Sequence, residues 1–413
     1  MASAENNWAG NHTYRARIER VRSVEHLQEV VAAAERVRAL GTRHSFTDLA
    51  DLPDGGVLVS LADLPPVVEV DSAARTARVT AGTAYGLVGS RLQEQGWALA
   101  NLASLPHISV AGAVATGTHG SGVHNGSLAT AVAALEVVGA DGELRTVRRG
   151  DADFHGSVVS LGALGVVTHA TLDVEPSYDV RQTVFTGLPW DAVEAELDAV
   201  LSSAYSVSLF TRWAEGIDQV WVKSRDGDVP TELCGASPAG ATVHMLEGGD
   251  CEAVTAQLGE PGAWLERLPH FRMGFTPSRG EELQSEYLLP RRHAGAAVER
   301  LRALRDVVAP VLQVSELRTV AADEHWLSSA YGEDVLGVHF TWAREPERVH
   351  AVLPAVEEAL LPLGARPHWG KCFVAERDRL EPLYPRMGDF RKLRDRLDPD
   401  RTFDNAFLRR VIG

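Results

Sequence analysis

The apolar positions in the first part of the chain alternate between helical and strand spacing. Leu27, Val30, Val31 and Ala34 share one helical face, and a short buried strand over 37–40 follows before Gly41. Period-two alternation and polar turns predict the remaining elements. These are strands at 57–61, 67–70, 77–80, 135–138, 144–147, 165–167 and 171–174, and a helix at 85–95. Together they predict an α+β unit that closes at Pro176.

The pattern changes after Pro176. Alternating strands are predicted at 206–210, 219–222, 312–320 and 338–342, and helices at 294–308 and 349–361. Seven of the nine tryptophans lie in this part, which predicts a second domain with its own aromatic-lined cavity. We therefore expect a first domain over 1–175, a second over 176–366, and a C-terminal segment over 367–413 that returns to the first.

Residues 111–127 contain five glycines, and no Asp, Glu, Lys or Arg occurs between Gln95 and Leu135. A flexible loop is one interpretation. The alternative is backbone that packs closely around a buried ligand, since glycine lets main-chain amides approach one. The lack of charge favours the second. A membrane span is excluded because the polar groups of this stretch would go unsatisfied in lipid.

Charge and cysteine usage narrow the function classes. The formal net charge of −16 disfavours nucleic acid and anionic membrane surfaces as partners. Three widely spaced cysteines argue against a disulfide framework and against a zinc site. The polar N-terminus shows no signal peptide. We expect a cytoplasmic protein that binds no metal. We also expect the protein to be a monomer.

The commonest catalytic signatures are missing. The glycines at 120, 122 and 126 do not complete a dinucleotide fingerprint, and no Walker A loop, His-Glu-x-x-His or Gly-x-Ser-x-Gly occurs. A tight loop over 41–46 follows a predicted strand, and its backbone amides suit a pyrophosphate. His44 projects from that loop. A lone histidine is usually structural, but this one would lie beside whatever the amides hold.

Several separate motifs in a fixed order give the chain a family resemblance. They are Asn7-Trp8-Ala9-Gly10-Asn11, the Gly41-x-x-His44-Ser45 loop, and the segments 105–112, 116–120, 283–287, 316–320, 339–342 and 366–371. In these motifs the chain resembles the vanillyl-alcohol-oxidase type of FAD-linked oxidoreductases, and within that family the alditol (xylitol) oxidases. The resemblance implies a two-domain α+β fold with an FAD-binding domain and a substrate-binding cap domain.

The resemblance also implies how the cofactor is held. His44 would be bonded to the 8α-methyl of the isoalloxazine of FAD. The other residues expected around FAD are Leu40, Gly41, Thr42, Arg43, Ser104, Ser109, Gly112, Thr116, Gly117, Thr118, His119, Val166 and His368. Arg43 stands where related enzymes often have glycine, so the local loop geometry is expected to differ there.

The expected polyol site lies on two strands. Glu316 and Arg318 are two residues apart, as are His339 and Thr341, so each pair points to one face. A surface ion pair is the alternative, but Leu312, Val314 and Val320 share the face of Glu316 and Arg318, and a charged pair set there is costly unless it serves a ligand. The resemblance implies a substrate site of Ser104, Glu316, Arg318, Thr341 and Lys371, with Gln284 and His339 beside it. The catalytic residues are predicted to be Arg318, Lys371 and Glu316.

The reaction implied by the resemblance is oxidation of a terminal alditol hydroxyl, as in xylitol or sorbitol, to the aldose. Hydride would pass to flavin N5, and O₂ would be reduced to H₂O₂. One alternative is an aldonolactone dehydrogenase or oxidase of the same fold that uses a quinone or cytochrome acceptor. Another is a non-catalytic sugar-binding protein without flavin, which the intact His44 loop disfavours.

Overall fold

A computed structural model describes residues 5–53, 55–225, 227, 229–275 and 282–413. The first part of the chain contains a parallel sheet with the strand order Arg17–Arg20, Val57–Ser60, Val37–Ala39. The helix Val24–Ala33 packs on this sheet through its buried apolar face, as the sequence predicts. The Ser23 side chain caps this helix by accepting a hydrogen bond from the His26 amide.

A second, antiparallel sheet adjoins the parallel one. Its strand order is Leu144–Arg148, Val132–Val138, Val166–Asp173, Thr76–Thr80, Val68–Asp71. Both predicted hairpins are present. The predicted strands 165–167 and 171–174 are instead one continuous strand, so that prediction was wrong. The polar pair Thr168 and His169 interrupts the apolar run, yet both side chains are buried on this strand.

Helices in the first part lie between the strands and around the glycine-rich stretch. They are Tyr85–Glu94, Val110–Ala115 and Phe154–Val158. The second and third of these were not predicted, because helices of six and five residues show too little periodicity to be recognised. Two short strand pairs, Glu5–Asn6 with Thr13–Tyr14 and Trp97–Ala98 with Glu175–Pro176, complete this part.

The second part is built on one large antiparallel sheet, with nine strands among the described residues. Its order is Ser237–Pro238, Asp179–Pro189, Gly216–Arg225, Ser206–Thr211, Leu312–Val320, Val335–Ala343, Glu282–Pro290, Arg366–Pro367, with Pro261–Ala263 paired to the second of these. The helices of this part are Trp190–Leu201, Ala294–Ala303, Arg305–Val308 and Pro346–Leu360. The predicted helix 294–308 is therefore two helices, which meet at Leu304.

Alternation along the central strands separates two faces of the large sheet. Leu317, Val338 and Phe340 are fully buried in the main hydrophobic core. Glu316 and His339 point the other way, towards the first part of the chain, as do Arg318 and Thr341 two positions further along the same strands. This second face forms one wall of the cavity described below.

The C-terminal residues pack back onto the first part. The helices Arg377–Leu380, Met387–Leu397 and Ala406–Val411 lie here. The Asn405 side chain donates to the Leu49 carbonyl, and the Val37 amide donates to the Thr402 carbonyl. These contacts support the proposed return, and we keep the boundaries at 175 and 366 as a proposal. None of the helices in the described ranges is long and apolar enough to cross a bilayer.

Candidate active site

A cavity of about 630 Å³ lies between the His44 loop, the glycine-rich stretch and the large sheet. Its volume falls within the range of cofactor and ligand pockets. The main chain of 40–46 and 103–119 forms one side, and three strands of the large sheet form the other. The cavity therefore brings together all the regions in which the sequence predicts site residues.

Polar side chains form two rows across three neighbouring strands. Glu316 lies opposite His339, which in turn lies opposite Glu286. The next row contains Thr341 and Gln284. Residues two positions apart on a strand point to the same face of the sheet. The side chains of both rows therefore project into the cavity. An apolar sheet face thus carries a strip of hydrogen-bonding groups.

The Arg318 guanidinium is held by groups from both parts of the chain. Its Nη2 donates to Glu286 Oε1 at 2.7 Å, and its Nη1 donates to Ser104 Oγ at 3.2 Å. Gly337 lies opposite Arg318 in the sheet. A Cβ at Gly337 would stand 3.3 Å from Glu286 Oε1, so a larger residue would crowd this ion pair.

Glu286 also binds the second cation of the site. Lys371 Nζ donates to Glu286 Oε2 at 2.6 Å, and His119 Nε2 lies 3.3 Å from Oε1. Burial raises the pKa of Glu286, but the charges of Arg318 and Lys371 outweigh burial and hold this pKa well below its ordinary value. Burial lowers the pKa of Lys371, an effect that the Glu286 charge opposes. Glu286 was not predicted as a site residue, although it lies in the segment 283–287, one of the motifs that carry the resemblance.

Glu316 has a different set of neighbours. Its Oε1 accepts a hydrogen bond from His270 Nε2 at 2.8 Å, and Arg318 Nε lies 3.5 Å from the same oxygen. Burial raises the pKa of Glu316, but the charge of Arg318, and after it the interaction with His270, hold this pKa well below its ordinary value. His270 was not predicted as a site residue, because it comes from a loop-rich stretch that shows no motif.

Two buried polar atoms on this wall lack a hydrogen-bond partner within the described ranges. They are His339 Nε2 and Arg318 Nε. Burial lowers the pKa of His339 to about 4, so its ring is neutral near pH 7. Buried polar atoms in native proteins nearly always have a partner, and Arg318 Nε at least faces Glu316 Oε1 at 3.5 Å, so it is the unpaired His339 Nε2 in the cavity wall that indicates a ligand. Ser104, Thr341 and Gln284 line the same cavity and add further polar groups.

The His44 loop lies on the opposite side, directly after the strand Val37–Ala39 as predicted. His44 Nδ1 is 3.0 Å from Thr42 Oγ1, which accepts a hydrogen bond from the Ser109 amide. Burial lowers the pKa of His44 to about 4, so the ring is neutral and one nitrogen has a lone pair. The ring of Trp8 stacks on His44 with centroids 5.8 Å apart.

Arg43 adopts a left-handed backbone conformation, with φ of +62°. This conformation favours glycine, the residue that the family resemblance leads us to expect at this position. The Arg43 side chain forms an ion pair with Glu5. The loop therefore keeps a glycine-like backbone although it carries arginine.

The residues on the loop side fit FAD sterically. A Cβ on Gly41 would lie 2.9 Å from Ser109 Oγ, and one on Gly112 would lie 3.0 Å from it, so these glycines keep the cradle open. Most expected cofactor residues line the cavity: Leu40, Gly41, Thr42, Arg43, His44, Ser104, Ser109, Gly112, Thr116, Thr118, His119 and His368. Gly117 and Val166 do not, and their neighbours Gly165 and Val167 do.

The tryptophans of the second part do not line the cavity. Trp213, Trp221 and Trp342 are fully buried in the hydrophobic core, and the cavity-lining tryptophan is Trp8 in the first part. The second part does contribute aromatic residues to the lining, but they are Phe210 and Phe271 and not the tryptophans from which the aromatic lining was predicted. The tryptophans of the large sheet instead fill space in the hydrophobic core.

Two family profiles match the chain. The family described as FAD binding domain matches residues 16–148, and the family described as D-arabinono-1,4-lactone oxidase matches residues 276–411. An alditol oxidase of a Streptomyces species is 49% identical over all of both chains. The L-gulono-1,4-lactone dehydrogenase of Mycobacterium tuberculosis is 30% identical, again over all of both chains.

Solved structures show the same fold at low sequence identity. The cholesterol oxidase of B. sterolicum is 15% identical to the chain, with a TM-score of 0.82 over 99% of this chain and 96% of that one. A solvent-stable cholesterol oxidase gives a TM-score of 0.81 at 16% identity and covers 98% and 96%. The fold is thus the two-domain α+β fold of FAD-linked oxidases, as expected.

Proposed function

The chain belongs to the alditol oxidase family of FAD-linked oxidoreductases, and on that premise we propose that it oxidises the terminal hydroxyl of alditols such as xylitol and sorbitol to the aldose. The observation that carries the proposal is the buried strip of Glu316, Arg318 and Lys371 on one wall of a cavity whose other wall fits FAD. Charged groups buried beside an open space are costly unless a polar ligand uses them.

The two cations bind the hydroxyl that reacts. Arg318 and Lys371 hold it and stabilise the negative charge that develops on its oxygen as the hydroxyl proton leaves to solvent. Glu286 fixes both cations at hydrogen-bond distance, so little reorganisation is needed at the moment of reaction. FAD, when bound, supplies the hydride acceptor at N5 and is reoxidised by O₂ with release of H₂O₂.

The remaining hydroxyls of the polyol bind along the polar strip. Glu316, Thr341 and Ser104 accept or donate hydrogen bonds to them, and Gln284 and His339 lie beside them. A substrate that lacks one hydroxyl would leave a buried group unpaired and bind less well. This row of fixed groups therefore favours a linear polyol.

An absorption spectrum tests the proposal. Xylitol added without oxygen should bleach the flavin band of the purified protein, and admission of air should restore the band with H₂O₂ produced in proportion. A spectrum that no alditol changes would overturn the proposal.

An aldonolactone substrate is the second candidate. The match of residues 276–411 to a lactone oxidase family and the 30% identity to a lactone dehydrogenase favour it. The same spectral test with L-gulono-1,4-lactone and D-arabinono-1,4-lactone separates the two. Faster dye, quinone or cytochrome reduction than H₂O₂ production would assign a dehydrogenase.

We propose that FAD is bonded covalently to His44. The neutral ring lines the cavity beside the open cradle, and its unprotonated nitrogen could hold the flavin through the 8α carbon; the C–H bond lost there would release a proton and leave two electrons on the flavin for O₂ to take up. The other proposed cofactor contacts are the residues predicted from the sequence, including Gly117 and Val166 through their main chain. Acid precipitation should leave yellow colour in the wild-type pellet, and His44→Ala should release all of it. Release of all flavin from the wild type would contradict the covalent bond.

The remaining proposals concern assembly and location. We propose a monomer that acts in the cytoplasm, with a small polyol and O₂ as its only partners. Light scattering on the purified holoenzyme tests the first point, since a mass near twice 44.6 kDa would indicate a dimer instead.

A further inference from the structure

Lys223 is a buried cation that the proposed chemistry does not use. It lies on the strand Gly216–Arg225 and is 1% exposed. Its ammonium group donates to the carbonyls of Leu268 and Pro269 and lies 3.1 Å from His270 Nδ1. These three acceptors match the three N–H donors of a charged lysine.

This arrangement defines the tautomer of His270. A ring nitrogen that faces an ammonium group must accept, so Nδ1 carries no proton and the neutral ring has its N–H at Nε2. That N–H donates to Glu316 Oε1 at 2.8 Å. With the opposite tautomer, a lone pair would face the carboxylate and an N–H would face the ammonium group.

The surroundings of His270 leave it little freedom to move. Its ring lies edge-on to Phe210 and Trp221, at 5.6 and 5.1 Å between centroids. Its amide donates to the Ser104 carbonyl, as does the amide of Phe271. The ring is therefore fixed by packing as well as by Lys223.

We infer that Lys223 and His270 are positioning residues for Glu316. Lys223 fixes the His270 tautomer, and His270 holds the Glu316 carboxylate towards the hydroxyls of the substrate. The inference rests on the proposed function, because it makes Glu316 a group that binds polyol.

The electrostatics agree with this geometry. Burial lowers the pKa of His270 to about 4, and the Lys223 charge lowers it further against the opposing effect of Glu316. Burial lowers the pKa of Lys223 to about 7, an effect that the Glu316 charge opposes and the Arg318 charge reinforces. The charged groups that face His270 are Lys223, Glu316 and Arg318.

Replacement of Lys223 gives a pH signature that a purely structural role does not. In Lys223→Met the neutral ring is free to adopt either tautomer. In one of the two tautomers Nε2 carries no proton and cannot donate to Glu316. The pKa of His270 rises because the ammonium charge has gone. Protonated His270 donates from both nitrogens, so lower pH restores the bond to Glu316.

The test compares the KM for xylitol in four holoenzymes. His270→Ala should raise KM by about tenfold or more, the size of a hydrogen bond to a charged group, with kcat within about threefold. His270→Gln should recover most of this loss, because its amide donates to Glu316. Lys223→Met should raise KM at pH 6.5, where Lys223 of the wild type still mostly carries its proton, and should approach the wild type as pH falls further. His325→Gln, a buried histidine outside the cavity, is the control and should leave KM unchanged.

A ¹⁵N spectrum of histidine-labelled wild-type protein provides a readout without turnover. The His270 signals, assigned by their loss in His270→Gln, should show a proton-bearing Nε2 and a bare Nδ1. A proton on Nδ1 would overturn the inference. Unchanged KM in the Lys223 and His270 variants of an enzyme that does oxidise xylitol would also overturn it. A wild type that no alditol reduces would instead overturn the proposed function.

Discussion

Glu286 holds both cations of the site through a single carboxylate. Its two oxygens take Arg318 and Lys371 separately, so the cations stand side by side without contacting each other's donors. A buried pair of like charges would otherwise repel strongly, and the carboxylate between them makes their proximity tolerable. Glu286 is thus the residue that links the two cations, while Ser104 also holds Arg318.

Removal of either cation should reduce turnover sharply. Lys371→Ala or Arg318→Ala should lower kcat by at least about 100-fold, the loss expected for a donor that stabilises developing charge. The rate of anaerobic flavin reduction by xylitol measures this loss directly. Lys392→Ala, an exposed lysine far from the cavity, is the control. Near-normal rates in both variants would remove these residues from the mechanism.

Glu286→Gln should change the pH dependence as well as the rate. The Glu286 charge opposes the effect of burial on Lys371, so its loss lowers the Lys371 pKa further. Lys371 then loses its proton at a lower pH, and the alkaline fall of kcat/KM moves towards neutrality. Profiles of kcat/KM against pH measure the shift.

Glu357→Gln is the matched control for Glu286→Gln, because Glu357 is a buried glutamate outside the cavity lining. It should lower stability without moving the alkaline limb. An alkaline limb that stays in place in Glu286→Gln would show that Lys371 does not set it.

At the scale of single residues, the sequence indicates only part of the site. The spacing of Glu316 and Arg318, and of His339 and Thr341, predicts side chains on one face, and the structure has them there. Glu286 and His270 show no such signal. Their roles depend on which strand lies beside which, and that order is set by long-range pairing.

At the scale of elements, the N-terminal hairpin of Glu5–Asn6 and Thr13–Tyr14 clamps the His44 loop. The Asn7 side chain donates to the Ser45 carbonyl, and the Asn11 side chain donates to the Phe46 carbonyl, both at 2.9 Å. These bonds hold the main chain on the C-terminal side of His44. The hairpin thus fixes the loop, and its residues Glu5, Trp8 and Tyr14 line the cavity beside it.

Loss of this clamp should reduce covalent flavin attachment. The double change Asn7→Ala and Asn11→Ala removes two bonds of about 1 kcal/mol each, so the His44 ring samples other positions. Flavin fluorescence of the protein band in a denaturing gel measures the attached fraction. Thr13→Ala, which removes an exposed bond to Asn6 in the same hairpin, is the control. Equal attachment in both variants would contradict a clamping role.

Local pattern predicts both hairpins and the helices near 24–33, 85–94, 294–308 and 346–360, but it misses the other helices, including the long ones Trp190–Leu201 and Met387–Leu397. The strand Asp179–Pro189 was not predicted because its central polar residue, Gln182, is fully buried and bonded to Thr255 and Ala256. The helix Val110–Ala115 is too short to show a period. In both cases tertiary contacts decide a structure that local propensity leaves open.

At the scale of the whole molecule, the cavity exists only because distant segments meet. Residues 40–46, 103–119 and the strands after 282 line it together. The C-terminal segment supports the cavity wall at Arg38, which lines the cavity. The Arg38 side chain donates to the carbonyl of Phe403 in this segment and to that of Leu49. The motifs predict which residues belong to the site. Their distances depend on the packing of the two parts, which sequence spacing does not determine.

FAD should therefore stabilise the whole fold. His44→Ala stripped of flavin should melt at a lower temperature than the same protein with FAD, and its melting temperature should rise with FAD concentration. Differential scanning calorimetry across a series of FAD concentrations measures the effect, with riboflavin as the control ligand. A melting temperature that FAD does not change would place the cofactor elsewhere.

The most direct test of the central claim is mass spectrometry of the tryptic peptide 44–75 from the wild-type protein. The account predicts that this peptide carries the added mass of FAD, or of FMN after loss of the adenylate, and that fragmentation places the mass on His44. A bare peptide in full yield, from protein that contains no flavin, would contradict it.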